Sequence, residues 1–107
     1  PGTGGGFGGG AYQPGNGVSW PTPMREERPK YTSDAMRAKI QGMVELEIIV
    51  LENGTVGDVR ITKSLDRNYG LDEAAKEAAR KWLFKPGVRD GLPVATRVLL
   101  QLEFRLH

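Results

Sequence analysis

Few side chains in this chain could do chemistry, and their spacing narrows them further. Glu45 and Glu47 stand two apart, which places both carboxylates on one face of an extended strand. An acid/base pair needs surroundings that perturb its proton affinity. These two alternate with Val44, Leu46 and Ile48 and read as the solvated face of that strand. Ser19, Ser33 and Ser64 would need a base beside them to act as nucleophiles. The one histidine, His107, is the last residue. With no cysteine, disulfides, thiolate metal sites and cysteine nucleophiles drop out together. The glycine cluster near the N-terminus suggests a phosphate cradle, but no Lys-Ser or Lys-Thr follows it, no strand leads in and no helix leads out. The expectation is a protein that binds without catalysing, and no cofactor is expected.

The 107 residues divide unevenly: the first 24 hold nine of the fifteen glycines and four of the seven prolines, and every charge falls at Arg25 or later. Residues 1–28 are therefore expected to be a flexible linker, with residues 18–23 semi-rigid and extended. Residues 29–107 form the globular domain, close to the smallest size at which one core suffices unaided. Fifteen basic against thirteen acidic residues, a net charge of +2, is too even to favour a nucleic-acid partner. No run approaches the length of a membrane span, and a chain beginning at Pro1 is expected to be a fragment of something longer.

The elements that position these residues follow from periodicity. Thr32, Ser33 and Asp34 can cap a short helix that Gly42 ends. Residues 43–51 alternate, with Val44, Leu46, Ile48 and Val50 inward; Ile49 and Leu51 break the polar face at the far end. Asn53-Gly54 predicts a two-residue type I′ hairpin into a second strand, residues 56–63. Asp72 and Glu73 open a second helix, where their charge suits the helix dipole. Its stripe of Leu71, Ala74, Ala75, Ala78, Ala79 and Trp82 faces the sheet, Trp82 as a core anchor, and Pro86 ends it. Asp90-Gly91 turns into the longest alternation in the chain, residues 94–106. The fold class is α+β: a three-stranded antiparallel sheet in the order α-β-β-α-β, helices on one face. A right-handed crossover puts the first strand in the middle and leaves the second and third as edges.

The last strand is the productive feature. Its exposed face carries Ala95, Arg97, Leu99, Gln101, Glu103 and Arg105. Arg97 and Arg105 there either guard an edge against aggregation or contact a strand added beside it. Four to six main-chain bonds at ~0.5–1.5 kcal/mol each, less the ordering of a flexible peptide, give weak, reversible binding.

An ordered set of residues resembles the C-terminal domain of the TonB energy-transducer family. It runs through Tyr31, Ala35, Ile40-Gln41-Gly42, Val44, Asn53-Gly54-Thr55-Val56, Asp58-Val59, Ser64 and Leu71-Asp72-Glu73-Ala74-Ala75. It continues through Lys81-Trp82-Leu83-Phe84-Lys85-Pro86, Asp90-Gly91-Leu92-Pro93-Val94 and Phe104. The helix ending in Trp-x-Phe-x-Pro before a Gly-x-Pro-Val strand is its most specific part. The resemblance implies a periplasmic domain of a protein anchored in the inner membrane. Such a domain pairs its last strand with the TonB box, an extended segment of outer-membrane transporters. ExbB- and ExbD-like inner-membrane proteins, acting through the region N-terminal to this chain, supply motion driven by the proton gradient. The implied contact residues are Arg28, Pro29 and Tyr31 with the edge Ala95, Arg97, Leu99, Gln101, Glu103 and Arg105. The family's Pro-x-Tyr-Pro motif appears here as Pro29-Lys30-Tyr31-Thr32, and Arg28 stands where the family has a box-contacting glutamine. The alternative, from a different class, is an assembly module of the cell envelope that dimerises through its edge or docks on peptidoglycan.

Overall fold

A computed structural model describes residues 10–106. The linker expected over residues 1–28 lies outside the described residues up to Gly9, as does His107. A nine-residue strand, β2 (Gly42–Val50), is the centre of the molecule. It pairs antiparallel with β3 (Val56–Lys63) on one side and β7 (Thr96–Phe104) on the other, giving the order β3-β2-β7. Val44, Leu46, Ile48 and Val50 of β2 are fully buried, because the residues between them point to the opposite face. Helices α1 (Ser33–Arg37) and α2 (Leu71–Arg80) contribute Ala35, Leu71, Ala75, Ala78 and Ala79 to the same core as Val98, Leu102 and Phe104 of β7. The small-residue stripe of α2 faces the sheet as its spacing predicts, with Leu71, Ala75, Ala78 and Ala79 buried and Ala74 packed against the core.

Both helices are shorter than the sequence suggests, for local reasons. Thr32 caps α1 by accepting from the Ala35 N–H, but Lys39 takes the left-handed conformation (φ 57°) and ends the helix before Gly42 is reached. The second helix stops at Arg80 rather than Pro86. Leu83–Lys85 (β4) becomes extended and pairs with β1 (Thr22–Arg25), and Trp82 donates its indole N–H to Glu27 O at 3.1 Å. Trp82 and Phe84 are both buried and stack with ring centroids 5.8 Å apart, so Trp82 anchors the core as expected. Asp72 does more than complement the helix dipole. It is 8% exposed, and its carboxylate accepts from the Ser64 hydroxyl and the Leu65 and Asp66 N–H groups. Asp66 in turn accepts from the Asn68, Tyr69 and Leu71 N–H groups, which replaces the side-chain cap that Gly70 cannot supply.

The turns also depart from expectation. The β2–β3 connection is a three-residue loop: Gly54 N–H bonds Leu51 O at 2.8 Å, Leu51 N–H bonds Thr55 O at 2.8 Å, and Gly54 sits at φ 87° as the bulge residue. Its carbonyl accepts from Phe84 N–H at 2.8 Å, which ties the hairpin tip to β4. Asp90 and Gly91 (φ 51° and 79°) make the two-residue turn of a separate hairpin, β5 (Gly87–Arg89) with β6 (Leu92–Val94). The long strand expected over residues 94–106 is therefore divided at Ala95.

Residues in the expected linker are paired with the domain from Tyr12 onward. Tyr12 bridges Thr96, Val18 bridges Arg89, and β1 joins β4. The change at residue 28 marks composition, whereas backbone hydrogen bonding begins earlier.

A Cβ on Gly54 would lie 2.1 Å from Phe84 O, whereas one on Gly91 meets nothing within 4 Å. Gly91→Ala therefore pays only the left-handed strain, about 1 kcal/mol. Gly54→Ala adds a backbone collision and should lose roughly 2–3 kcal/mol, read from the midpoints of urea unfolding curves.

Candidate functional site: an open sheet edge

The ladder joining β2 and β7 is unbroken from Gly42↔Phe104 to Val50↔Thr96. The β2–β3 ladder shifts register twice, at Glu45/Leu46 and at Ile48/Val50. Bulges twist an edge away from a flat partner, so of the two edges β7 is the straighter template. Alternation decides which groups it offers. Arg97 N–H points outward, because it donates to Tyr12 O at 2.9 Å. The main-chain groups of Leu99, Gln101 and Glu103, at the same parity, point the same way.

The side chains at those positions lie on the sheet face away from the helices. Leu99 is 58% exposed, and Gln101, Glu103 and Arg105 are exposed. Arg97 is held in a cross-strand row: Glu47 on β2 contacts Arg60 of β3 at 2.6 Å and Arg97 at 3.8 Å. Thr62 of β3 donates to Glu45 at 2.9 Å. Glu45 and Glu47 thus bind neighbouring strands, consistent with a supporting face rather than an acid/base pair. The hydroxyls of Ser64 and Ser19 are engaged with Asp72 and with Val88 N–H. Ile49, which breaks the polar face, is buried at 4% exposure, at the end where Gln13, Pro14 and Trp20 come over Glu47, Arg97 and Leu99.

Each end of the edge has an open pocket. At the β7 C-terminus Arg28, Pro29 and Tyr31 gather with Glu103, Phe104 and Arg105 around about 360 Å³. The three residues expected ahead of the first helix are thus beside the edge, 72 or more positions away in sequence from Glu103 (103 minus 31). Tyr31 is fixed there: its ring meets Phe104 edge-on at 5.4 Å and its hydroxyl donates to Ile40 O. Arg105 pairs with Glu103 at 2.6 Å. At the other end Gln13, Pro14 and Trp20 border about 370 Å³ with Glu47, Arg97 and Leu99. Composition assigned Tyr12, Pro14 and Trp20 to a linker and so missed them. The available signal was that Tyr12, Val18 and Trp20, like Phe7, are large apolar side chains in a run otherwise made mostly of glycine, proline and small polar residues.

Ala95 and Arg97 are the expected edge positions that are already engaged, since Tyr12 N–H donates to Ala95 O and Tyr12 O accepts from Arg97 N–H. Among the described residues no group of three or more His, Cys, Asp or Glu could hold a metal ion, and no helix is long and apolar enough to cross a membrane.

The domain is a small α+β unit whose helices cover one sheet face and whose unbroken strand β7 runs between two pockets. Residues 27–106 match the family described as the Gram-negative bacterial TonB protein C-terminal, and the chain belongs to it. It is 44% identical to Protein TonB of Xanthomonas campestris over 79 residues, 74% of this chain and 35% of that protein. It is 33% identical to Protein TonB of Vibrio cholerae over 80 residues, 75% of this chain and 32% of that protein. The chain spans about a third of the length of these curated relatives. The fold is similar to that of the solution NMR structure of the Pseudomonas aeruginosa TonB CTD, with a TM-score of 0.66 at 24% identity over 87% of this chain and 90% of that one.

Glu47 is mostly enclosed and faces two guanidinium groups. Glu47→Ala should lower stability by about 1–2 kcal/mol in urea unfolding, and Glu45→Ala, at the edge of that row, by under about 1 kcal/mol.

Proposed function

We propose that this chain is the periplasmic domain of a TonB-like energy transducer, and that it engages the TonB box of outer-membrane transporters by strand addition to β7. The observation that carries this reading is the outward set of main-chain groups at Leu99, Gln101 and Glu103 on an unbroken strand. An extended segment laid there gains hydrogen bonds from any sequence, and side chains at alternate positions meet the pockets at each end. Arg28, Pro29, Tyr31 and Arg105 form the contacts at one end, and Arg97 and Leu99 those at the other. The energy comes from the inner-membrane proton gradient through ExbB- and ExbD-like partners acting on a membrane-anchored region N-terminal to this chain. The domain itself catalyses nothing and needs no cofactor. A few net hydrogen bonds give an attachment that is made and released, as a coupling device requires.

The same edge could pair with a second copy of the chain, which is the reading of an envelope assembly module. Light scattering over a concentration series separates the two, because a dimer that persists without peptide favours self-pairing.

Substitution by proline gives the direct test. Gln101 N–H faces outward, so Gln101→Pro removes a donor from the edge and leaves the β2 ladder its own bonds. Titration of a synthetic TonB-box peptide, followed by calorimetry, should show at least a tenfold weaker affinity for Gln101→Pro with a retained circular-dichroism spectrum. Unchanged affinity in a folded variant would remove strand addition from consideration.

A further inference from the structure

The chain already lays one rung on its own open edge. Tyr12 runs parallel to β7, donating to Ala95 O and accepting from Arg97 N–H, both at 2.9 Å. Continuing that ladder would require residue 14 to donate to Arg97 O, and residue 14 is proline, which has no N–H. The segment then turns away: Gly15 and Val18 bond each other across a tight turn, with Gly15, Asn16 and Gly17 all at positive φ. Its far end is fastened to β5. Val18 is 6% exposed, Ser19 N–H donates to Val88 O at 3.0 Å, and Ser19 Oγ accepts from Val88 N–H at 2.9 Å. Gly87 is required at this crossing, since a Cβ there would lie 2.8 Å from Ser19 O and 2.3 Å from Thr96 Oγ1. Arg89 holds the near end, with its guanidinium 5.0 Å from the Tyr12 ring centre and a 3.0 Å hydrogen bond to the Tyr12 hydroxyl.

We propose that residues 11–20 are a built-in cap on the β7 edge that sets where a partner strand begins. Tyr12 fills the first rung, Pro14 ends the filling, and the partner pairs from Leu99 to Glu103. This rests on the reading of β7 as the partner-binding edge and deepens it in two ways. The docked segment is short, because Ala95 and the Arg97 N–H are withheld from it. Its end nearest the cap meets the pocket of Pro14, Trp20, Arg97 and Leu99, so that pocket reads the first paired side chain of the partner. The exposed Trp20 indole and Leu99 favour an apolar residue there.

Backbone amide hydrogen exchange on the full chain tests the cap. In the free protein, after correction for intrinsic rates, the Arg97 amide should exchange at least tenfold more slowly than those of Leu99, Gln101 and Glu103. A saturating synthetic TonB-box peptide should slow those three and leave Arg97 unchanged. Tyr12→Pro removes both the N–H given to Ala95 and the side chain held by Arg89. In that variant Arg97 should start fast and be slowed by the peptide with the others, while slow exchange at Val44 and Leu46 reports an intact central strand. Equal exchange at Arg97 and Leu99 in the free wild-type chain overturns the cap, and so does faster Arg97 exchange when peptide is added. A peptide that leaves Leu99, Gln101 and Glu103 fast refutes strand addition, and slow Arg97 exchange in the same free protein would still support the cap.

Discussion

The antiparallel ladder between β2 and β7 is the constraint on which the rest depends. Its register runs without a shift from Gly42↔Phe104 to Val50↔Thr96. Because side chains and main-chain groups both alternate with period two, this register settles several things at once. It sends Val98, Leu102 and Phe104 into the core with Val44, Leu46 and Ile48. It sends Arg97, Leu99, Gln101 and Glu103 to the face away from the helices and turns their N–H and C=O groups outward. A slip by one residue would bury charges and expose the apolar set, so the geometry of the β7 edge is protected by the same burial that stabilises the domain.

Supporting contacts keep that strand straight and its ends furnished. The row of Arg60, Glu47 and Arg97 ties the sheet together across its polar face. Tyr31, packed edge-on against Phe104, holds the segment from Arg28 to Tyr31 beside the C-terminal end of β7. The two small sheets have a comparable role. Pairing of β1 with β4 fixes the chain before Arg28, and the β5–β6 hairpin gives Val18 and Ser19 a surface on which to dock. Residues remote in sequence are thereby delivered to both ends of one edge.

Much of this was legible in the residue pattern. Alternation exposed the central strand and the last one, the alanine spacing of α2 showed which side faces the sheet, and the crossover rule placed the first strand in the middle. Of the six odd positions expected on the last strand, Arg97, Leu99, Gln101 and Glu103 lie in β7, whereas Ala95 falls in the break before it and Arg105 just past its end. What was missed depended on pairings between distant segments. Nothing local in Leu83–Lys85 announces a strand; it becomes one because Thr22–Arg25 lies alongside and Trp82 is drawn inward. Asp72 was legible only as a charge at the start of α2 and Asp66 carried no local signal, because their roles depend on the loop folding around their carboxylates. Glycine and proline content described residues 10–28 by their entropy, while the hydrogen bonds of Tyr12 and Ser19 reflect acceptors and donors at least 69 positions away.

In the proposed mode of binding an extended partner segment becomes the next strand beside β7. Intermolecular nuclear Overhauser effects between an isotope-labelled chain and an unlabelled TonB-box peptide test it most directly. Strand addition predicts regularly spaced cross-strand contacts from peptide backbone protons to Leu99, Gln101 and Glu103, and peptide side-chain contacts to Trp20 at one end and Tyr31 at the other. Contacts along β3 or on the α2 surface, with the β7 edge silent, would contradict it.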